Sequence, residues 1–95
     1  MEMVRHLEMS ISQEEFARLL PAAVGGTEFT VVDGHYGGRE DQRTWTIRLL
    51  PLPVRQLGSV QLPRHRVEIF LQGYSEQEAE AFMVRFHRGF LRGGG

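Results

Sequence analysis

The sequence predicts an α+β domain: an antiparallel sheet of about five strands with both helices on one face, a two-layer sandwich in the order β-α-β-β-β-β-α. Three observations carry this expectation. In Arg66-Val-Glu-Ile-Phe-Leu-Gln72, the apolar Val67, Ile69 and Leu71 alternate with Arg66, Glu68 and Gln72, the period of two of a half-buried strand. Ser12-Gln-Glu-Glu15 and Ser75-Glu-Gln-Glu78 both have capping-box form, in which a serine oxygen and a glutamate satisfy the orphan amides of a helix start. After the second box, Ala79, Phe82, Met83, Phe86 and Phe90 fall on one helical stripe.

The elements follow in order. His6–Ile11 alternates, with Leu7, Met9 and Ile11 on one side, and reads as the first strand. Ser12 opens a helix that turns Phe16, Leu19, Leu20 and Ala23 inward, and Pro21 is expected to end or kink it before Gly25-Gly26. Glu28–Val32 is the second strand. Asp33–Gln42 reads as a polar, glycine-rich hairpin connection, and Thr44–Leu50 as the third strand, with Trp45, Ile47 and Leu49 inward. Pro51-Leu-Pro53 is expected to interrupt the chain. Arg55–Leu62 reads as an irregular fourth strand with a bulge at Gly58, and Pro63-Arg64 as a tight turn into the fifth. Short connections among the last four strands favour an antiparallel meander. The two helical stripes then need the same sheet face to bury them. This order resembles the helix-grip or TATA-binding-protein-like topology, a curved antiparallel sheet holding a long C-terminal helix; the resemblance implies an architecture and no activity.

Ninety-five residues make one domain, 1–95, with enough chain for one modest core. The absence of cysteine removes thiolate chemistry, disulfides and Cys-containing zinc sites. No apolar run reaches the ~20 residues of a membrane helix, and Met1-Glu-Met-Val-Arg5 lacks a signal-peptide profile, so a cytoplasmic protein is expected. The charge is unevenly spread. Residues 1–42 hold eight acids against three arginines, a net of −5, whereas residues 43–74 hold five arginines against Glu68 alone, a net of +4. All eleven basic residues are arginine, whose planar fork can grip carboxylates and phosphates, although a total absence of lysine more often reflects composition bias than selection for contacts.

Chemistry-bearing residues are scattered. Asp33, His35, Glu40 and Asp41 in the glycine-rich segment have neither an EF-hand spacing nor the Gly-Lys-Ser/Thr of a phosphate loop, so no metal and no cofactor is expected. His6, His35, His65 and His87 fall on separate elements. Ser12 and Ser75 are explained as caps, and no nucleophile elbow exists. An enzyme is not expected. The tail Leu91-Arg-Gly-Gly-Gly95 is similar to the diglycine end of ubiquitin-like and sulfur-carrier proteins over about five residues, although a helix rather than a strand precedes it. Read without that resemblance, Gly93 caps the helix, with Arg85, Arg88 and Arg92 complementing its negative end.

The sheet face away from the helices is more informative. It carries Arg48, Leu50, Arg66 and Phe70, an open surface suited to an unknown protein partner or a homodimer. A binding or accessory module acting by protein contact or self-association is therefore the expected function. Two alternatives stand behind it. One is a small-ligand binder with a pocket between sheet and C-terminal helix lined by Trp45, Phe82, Met83 and Phe86. The other is a single-stranded nucleic-acid binder using the arginine-bearing face, which the single aromatic and slightly negative net charge disfavour.

Overall fold

The computed structural model describes residues 2–26 and 28–94, with 92–94 described by their backbone. In chain order these form β1 (Glu2–Met9), α1 (Gln13–Ala23), β2 (Phe29–Val32), β3 (His35–Glu40), β4 (Arg43–Leu57), β5 (Val60–Gln72) and α2 (Glu76–Gly94). The strands make one antiparallel sheet in the order β1-β5-β4-β3-β2. Four consecutive strands form the meander, and β1 closes the far side against β5.

Both helices start at the serines that the sequence marks. Ser12 Oγ accepts from the Glu15 amide at 3.1 Å; the Glu15 carboxylate turns outward to Arg18 instead of reaching back. At α2 the box is complete: the Glu78 amide donates to Ser75 Oγ at 3.2 Å and the Ser75 amide to Glu78 Oε1 at 2.9 Å. Pro21 neither ends nor precedes the end of α1 by more than a turn. The helix runs on to Ala23, because a proline in the last turn removes one bond that the Val24 and Gly26 amides offset by donating to Leu20 and Pro21 carbonyls. The helix α2 continues past Gly93 to Gly94; Gly95, the end of the glycine tail, lies outside the described residues.

Three expectations about strands are corrected. The segment read as a loop, Asp33–Gln42, contains β3, flanked by two tight turns. Asp33 and Gly34 have φ of 48° and 78°, the positive pair of a two-residue hairpin turn whose twist matches the strands it joins. The second correction concerns Pro51 and Pro53, which do not interrupt β4. They sit beyond Arg48, where pairing with β3 stops, so their missing amides deprive no neighbour on that edge; the ladder to β5 slips by one residue between Leu52 and Arg55. Third, no separate strand spans Arg55–Leu62. Gly58, at φ 62°, is in the turn itself, joining β4 to β5 where Leu57 pairs with Val60, and Pro63-Arg64 lies within β5. The bulge anticipated at Gly58 is therefore at 52–55.

The core is aromatic. Tyr36, Trp45, Ile47, Val67, Ile69 and Leu71 from the sheet are buried with Phe16 and Leu20 of α1 and Phe82 and Phe86 of α2. Phe82 meets Trp45 at 6.1 Å between ring centroids, Phe16 meets Tyr36 at 5.4 Å, and Phe16 stacks on Phe90 at 5.0 Å. Each such side chain contributes about 1.5–3 kcal/mol by leaving water. Two glycines permit this packing. A Cβ on Gly38 would fall 2.3 Å from the Trp45 ring, and one on Gly89 would fall 2.5 Å from the Ala23 Cα, so the indole lies directly on β3 and the two helices touch backbone to backbone. No helix among the described residues is long and apolar enough to cross a membrane.

Candidate functional site

Strand alternation sorts the remaining side chains. Val67, Ile69 and Leu71 of β5 are buried, so Val60, Leu62, Arg64, Arg66, Glu68 and Phe70 point to the opposite face. Register places Thr46, Arg48 and Leu50 of β4 beside Phe70, Glu68 and Arg66, and Val4 and His6 of β1 beside Phe70 and Glu68. The four residues anticipated on this face, Arg48, Leu50, Arg66 and Phe70, are thus brought together. Glu68 lies at their centre. Its side chain is 15% exposed and is approached by Arg66 at 3.5 Å, His6 at 3.6 Å and Arg48 at 3.7 Å, while Arg66 Nη2 also reaches His6 Nδ1 at 3.1 Å. One carboxylate among two guanidiniums leaves a net positive centre. Contacts this long on half-exposed side chains add little stability, and the arginines remain able to bind elsewhere.

The same face continues where the other strands stop. Pairing of β3 ends at Arg48 and that of β1 at Met9, opposite His65, so the last part of β4 and the first part of β5 project as a two-stranded arm with no further strand on either edge among the described residues. The molecule is accordingly elongated, 47 Å by 23 Å by 23 Å. Leu57 pairs with Val60 and Arg55 with Leu62, which puts Leu50, Leu52, Leu57, Val60 and Leu62 in succession on one face with Arg55, Arg64 and Arg66 among them. Leu57 and Val60 are each 55% exposed. No acid occurs between Asp41 and Glu68. Sequence reasoning missed this arm, having assigned its halves to an interrupted stretch and a separate strand.

A second polar assembly fixes the N-terminal half of α2 to the end of the sheet. Tyr74 Oη donates to Glu40 Oε1 at 2.7 Å, and Arg85 reaches both carboxylate oxygens at 3.1 Å. Arg43 holds Glu78 at 3.0 Å and lies over the Tyr74 ring at 5.2 Å; Arg85 lies over Phe82 at 5.3 Å. Burial pushes the Glu40 carboxyl up, but the Arg85 and Tyr74 hydrogen bonds and the two guanidinium charges outweigh it and hold it below the usual carboxylate value. For Tyr74, burial and the adjacent carboxylate act together, raising the phenol well above its ordinary value. A charged Glu40 beside a neutral Tyr74 is a fixed structural clasp rather than a proton-exchanging pair.

The pocket expected between sheet and α2 is occupied by its own lining. Trp45 and Phe86 are fully buried and Phe82 is 2% exposed, each in ring contact with another, with Met83 packed at the margin. Only the edge of Phe82 borders a cleft, about 120 Å³, shared with the Glu40 clasp. A wider cleft of about 380 Å³ lies at the base of the arm, lined by Met9, Ile11, Leu19, Pro63 and Phe90 together with Ser10, Ser12 and Glu15. Of the residues in the glycine-rich segment, Glu40 joins the clasp, Asp41 faces Arg43 at 3.7 Å, and His35 Nδ1 lies 3.1 Å from the Asp33 carbonyl. Compared with known proteins, the chain matches no family model, no curated protein and no solved structure.

Proposed function

We propose that the protein is a small non-enzymatic binding module that acts through protein contact, foremost with a second copy of itself, in the cytoplasm. Its architecture on this reading is the two-layer sandwich, in the helix-grip order, with α1 and α2 on the Trp45 face and the Arg48 face open. Rings from both helices meet Tyr36 and Trp45, which supports that placement. The observation that carries the functional reading is the apolar succession Leu50, Leu52, Leu57, Val60 and Leu62 running outward along the open face onto the arm. A two-stranded ribbon is marginal in water by itself, and one keeping its leucines on one face is better explained by a partner than by its own stability. Arg48, Arg66 and Phe70 extend the same surface toward the sheet centre.

Sedimentation equilibrium tests this directly. Wild type should give a mass above the 10.9 kDa monomer, and Phe70→Glu, which plants a charge in the apolar part of the face, should reduce association where the contact extends to the sheet centre. Monomeric wild type at high concentration refutes self-association. The arginine-rich, acid-free stretch from residue 42 to 67 favours single-stranded nucleic acid as the second reading. Such binding would weaken steeply with salt, with a log–log slope of about −0.7 per phosphate contact. We expect none at physiological ionic strength; tight binding that persisted there and vanished in Arg48→Glu/Arg66→Glu would replace protein contact with nucleic-acid binding. The small-ligand reading draws support only from the small cleft beside Phe82.

A further inference from the structure

We infer that the arm tip docks in trans into the cleft at the base of the arm of a second copy, and that the exchange is reciprocal. The inference rests on the self-association proposed above and assigns its contact. Three observations bear on it.

The first is a matching pair of surfaces. The tip offers Leu57 and Val60, both more than half exposed, with Arg55 on the same face. The cleft offers Met9, Ile11, Leu19 and Phe90, with Glu15 on its rim and Glu14 beside it in the first turn of α1. An apolar tip flanked by a cation meets a cleft whose apolar floor is bordered by Ser10, Ser12 and the carboxylates. Arg18 already takes one Glu15 oxygen at 2.7 Å, so the rim is partly neutralised within its own chain.

The second observation is that a chain cannot fill its own cleft. Pro63 lines the cleft, and the ladder stays paired out to Leu57 and Val60, so the tip stands about 10 Å beyond at strand rise. Folding back would break that ladder. Docking must come from another molecule.

The third observation is charge. Packing two arms by their leucine faces would set Arg55 of one copy, which has no acid partner among the described residues, against the arginines of the other, where Arg64 and Arg66 have Glu8 at 3.2 Å and Glu68 at 3.5 Å. Like charges facing each other disfavour that arrangement, and docking on the acidic end of the partner avoids it. Because cleft and arm share the Pro63 base, two copies related by a two-fold axis can each seat a tip in the other. The assembly then closes at a dimer instead of growing into a filament.

The chain has no cysteine, which gives a clean background for crosslinking. Ser59→Cys places a thiol on the tip and Ser10→Cys one at the cleft. An oxidised mixture of these two variants should yield the disulfide-linked heterodimer well above the yield of Ser59→Cys mixed with Thr30→Cys, a thiol on the β2 edge. Equal yields overturn the docking. In sedimentation, Leu57→Asp/Val60→Asp should abolish the dimer and Arg55→Glu should weaken it about tenfold, with Glu15→Arg added to Arg55→Glu restoring affinity. Circular dichroism must show these arm variants folded, which the separate core makes the expected result. If Phe70→Glu dissociates the dimer while the tip and cleft variants do not, the sheet face is the interface and the arm exchange is wrong. Should wild type be monomeric, both readings fail together.

Discussion

Gly38→Ala tests how tightly this core is built. A Cβ at Gly38 would lie 2.3 Å from the Trp45 ring, and 2.5 Å and 2.8 Å from two further indole atoms. Carbon atoms in contact rest about 3.5–4.0 Å apart, so either the indole or β3 must move by more than about 1 Å. The indole has nowhere to go: Trp45 is fully buried, with Phe29 at 5.9 Å and Phe82 at 6.1 Å. Overpacking of this kind costs about 1–3 kcal/mol, and the immobile neighbours place it near the upper end. At about 4–8 °C per kcal/mol for a domain of this size, the melting temperature should fall by about 10–24 °C. Gly37→Ala is the matched control. It sits one residue away on the same strand, its nearest atom would be the Trp45 carbonyl oxygen at an ordinary 3.9 Å, and its φ is not in the left-handed region. Restricting the unfolded chain there should be neutral or stabilise by about 0.4–1 kcal/mol. Urea melts followed by fluorescence of the sole tryptophan, Trp45, compare the two directly. Equal midpoints for the two alanine variants would refute the packing argument.

Phe82→Ala, which removes a ring in contact with Trp45, Tyr74 and Phe86, should cost about 3–5 kcal/mol in the same melts. Gly89→Ala should also destabilise, despite a helix-propensity gain of up to ~1 kcal/mol, because its Cβ meets Ala23 backbone at 2.5 Å; a variant at least as stable as wild type would contradict direct contact between α1 and α2. The Glu40 clasp gives stability a pH dependence of definite sign. The folded carboxyl lies below its ordinary 4.5, so its contribution is complete above that pH and is lost as pH falls through the folded value. The Tyr74 phenol is raised above its ordinary 10.0, so its contribution is complete below that pH and is lost on stronger alkalinisation. Urea midpoints for Glu40→Gln should therefore drop at neutral pH and depend less on pH below 4.5 than those of wild type.

The comparison of sequence with structure shows where local signals are decisive. Ser12 and Ser75 mark both helix starts because a cap is a local contact, satisfied within three residues. The stripe through Phe82, Phe86 and Phe90 and the alternation of Val67, Ile69 and Leu71 identify core residues because burial imposes those periods. The glycines of β3 mislead for a tertiary reason: Gly38 is in a strand because Trp45 needs the space. The Asp33-Gly34 pair was the available signal that a hairpin, not a long loop, begins there. The prolines at 51 and 53 mislead likewise, since a strand accepts proline wherever its outer edge has no partner, and the sequence does not reveal that β3 stops short. The face bearing Arg48, Leu50, Arg66 and Phe70 was legible from alternation alone. Its continuation onto the arm was not, because it depended on the two prolines being inside β4.

The pairing of β1 with β5 has a consequence for the order in which this molecule assembles. The pair closest in sequence, Met9 with His65, spans 56 residues, and closing such a loop costs about 3.5 kcal/mol of chain entropy. By contrast, β2 through β5 are joined by turns of two residues and can zip by local steps. On these grounds the hairpins are expected to form first, with β1 a latch that engages a sheet already made. Leu7→Ala should then speed unfolding while leaving the refolding rate nearly unchanged, the kinetic signature of a contact absent from the transition state. Until the latch engages, the outer edge of β5 offers its amides and carbonyls to any extended chain nearby, including the β1 of another copy. That interval is the moment in the life of this chain when strand exchange between molecules competes with folding.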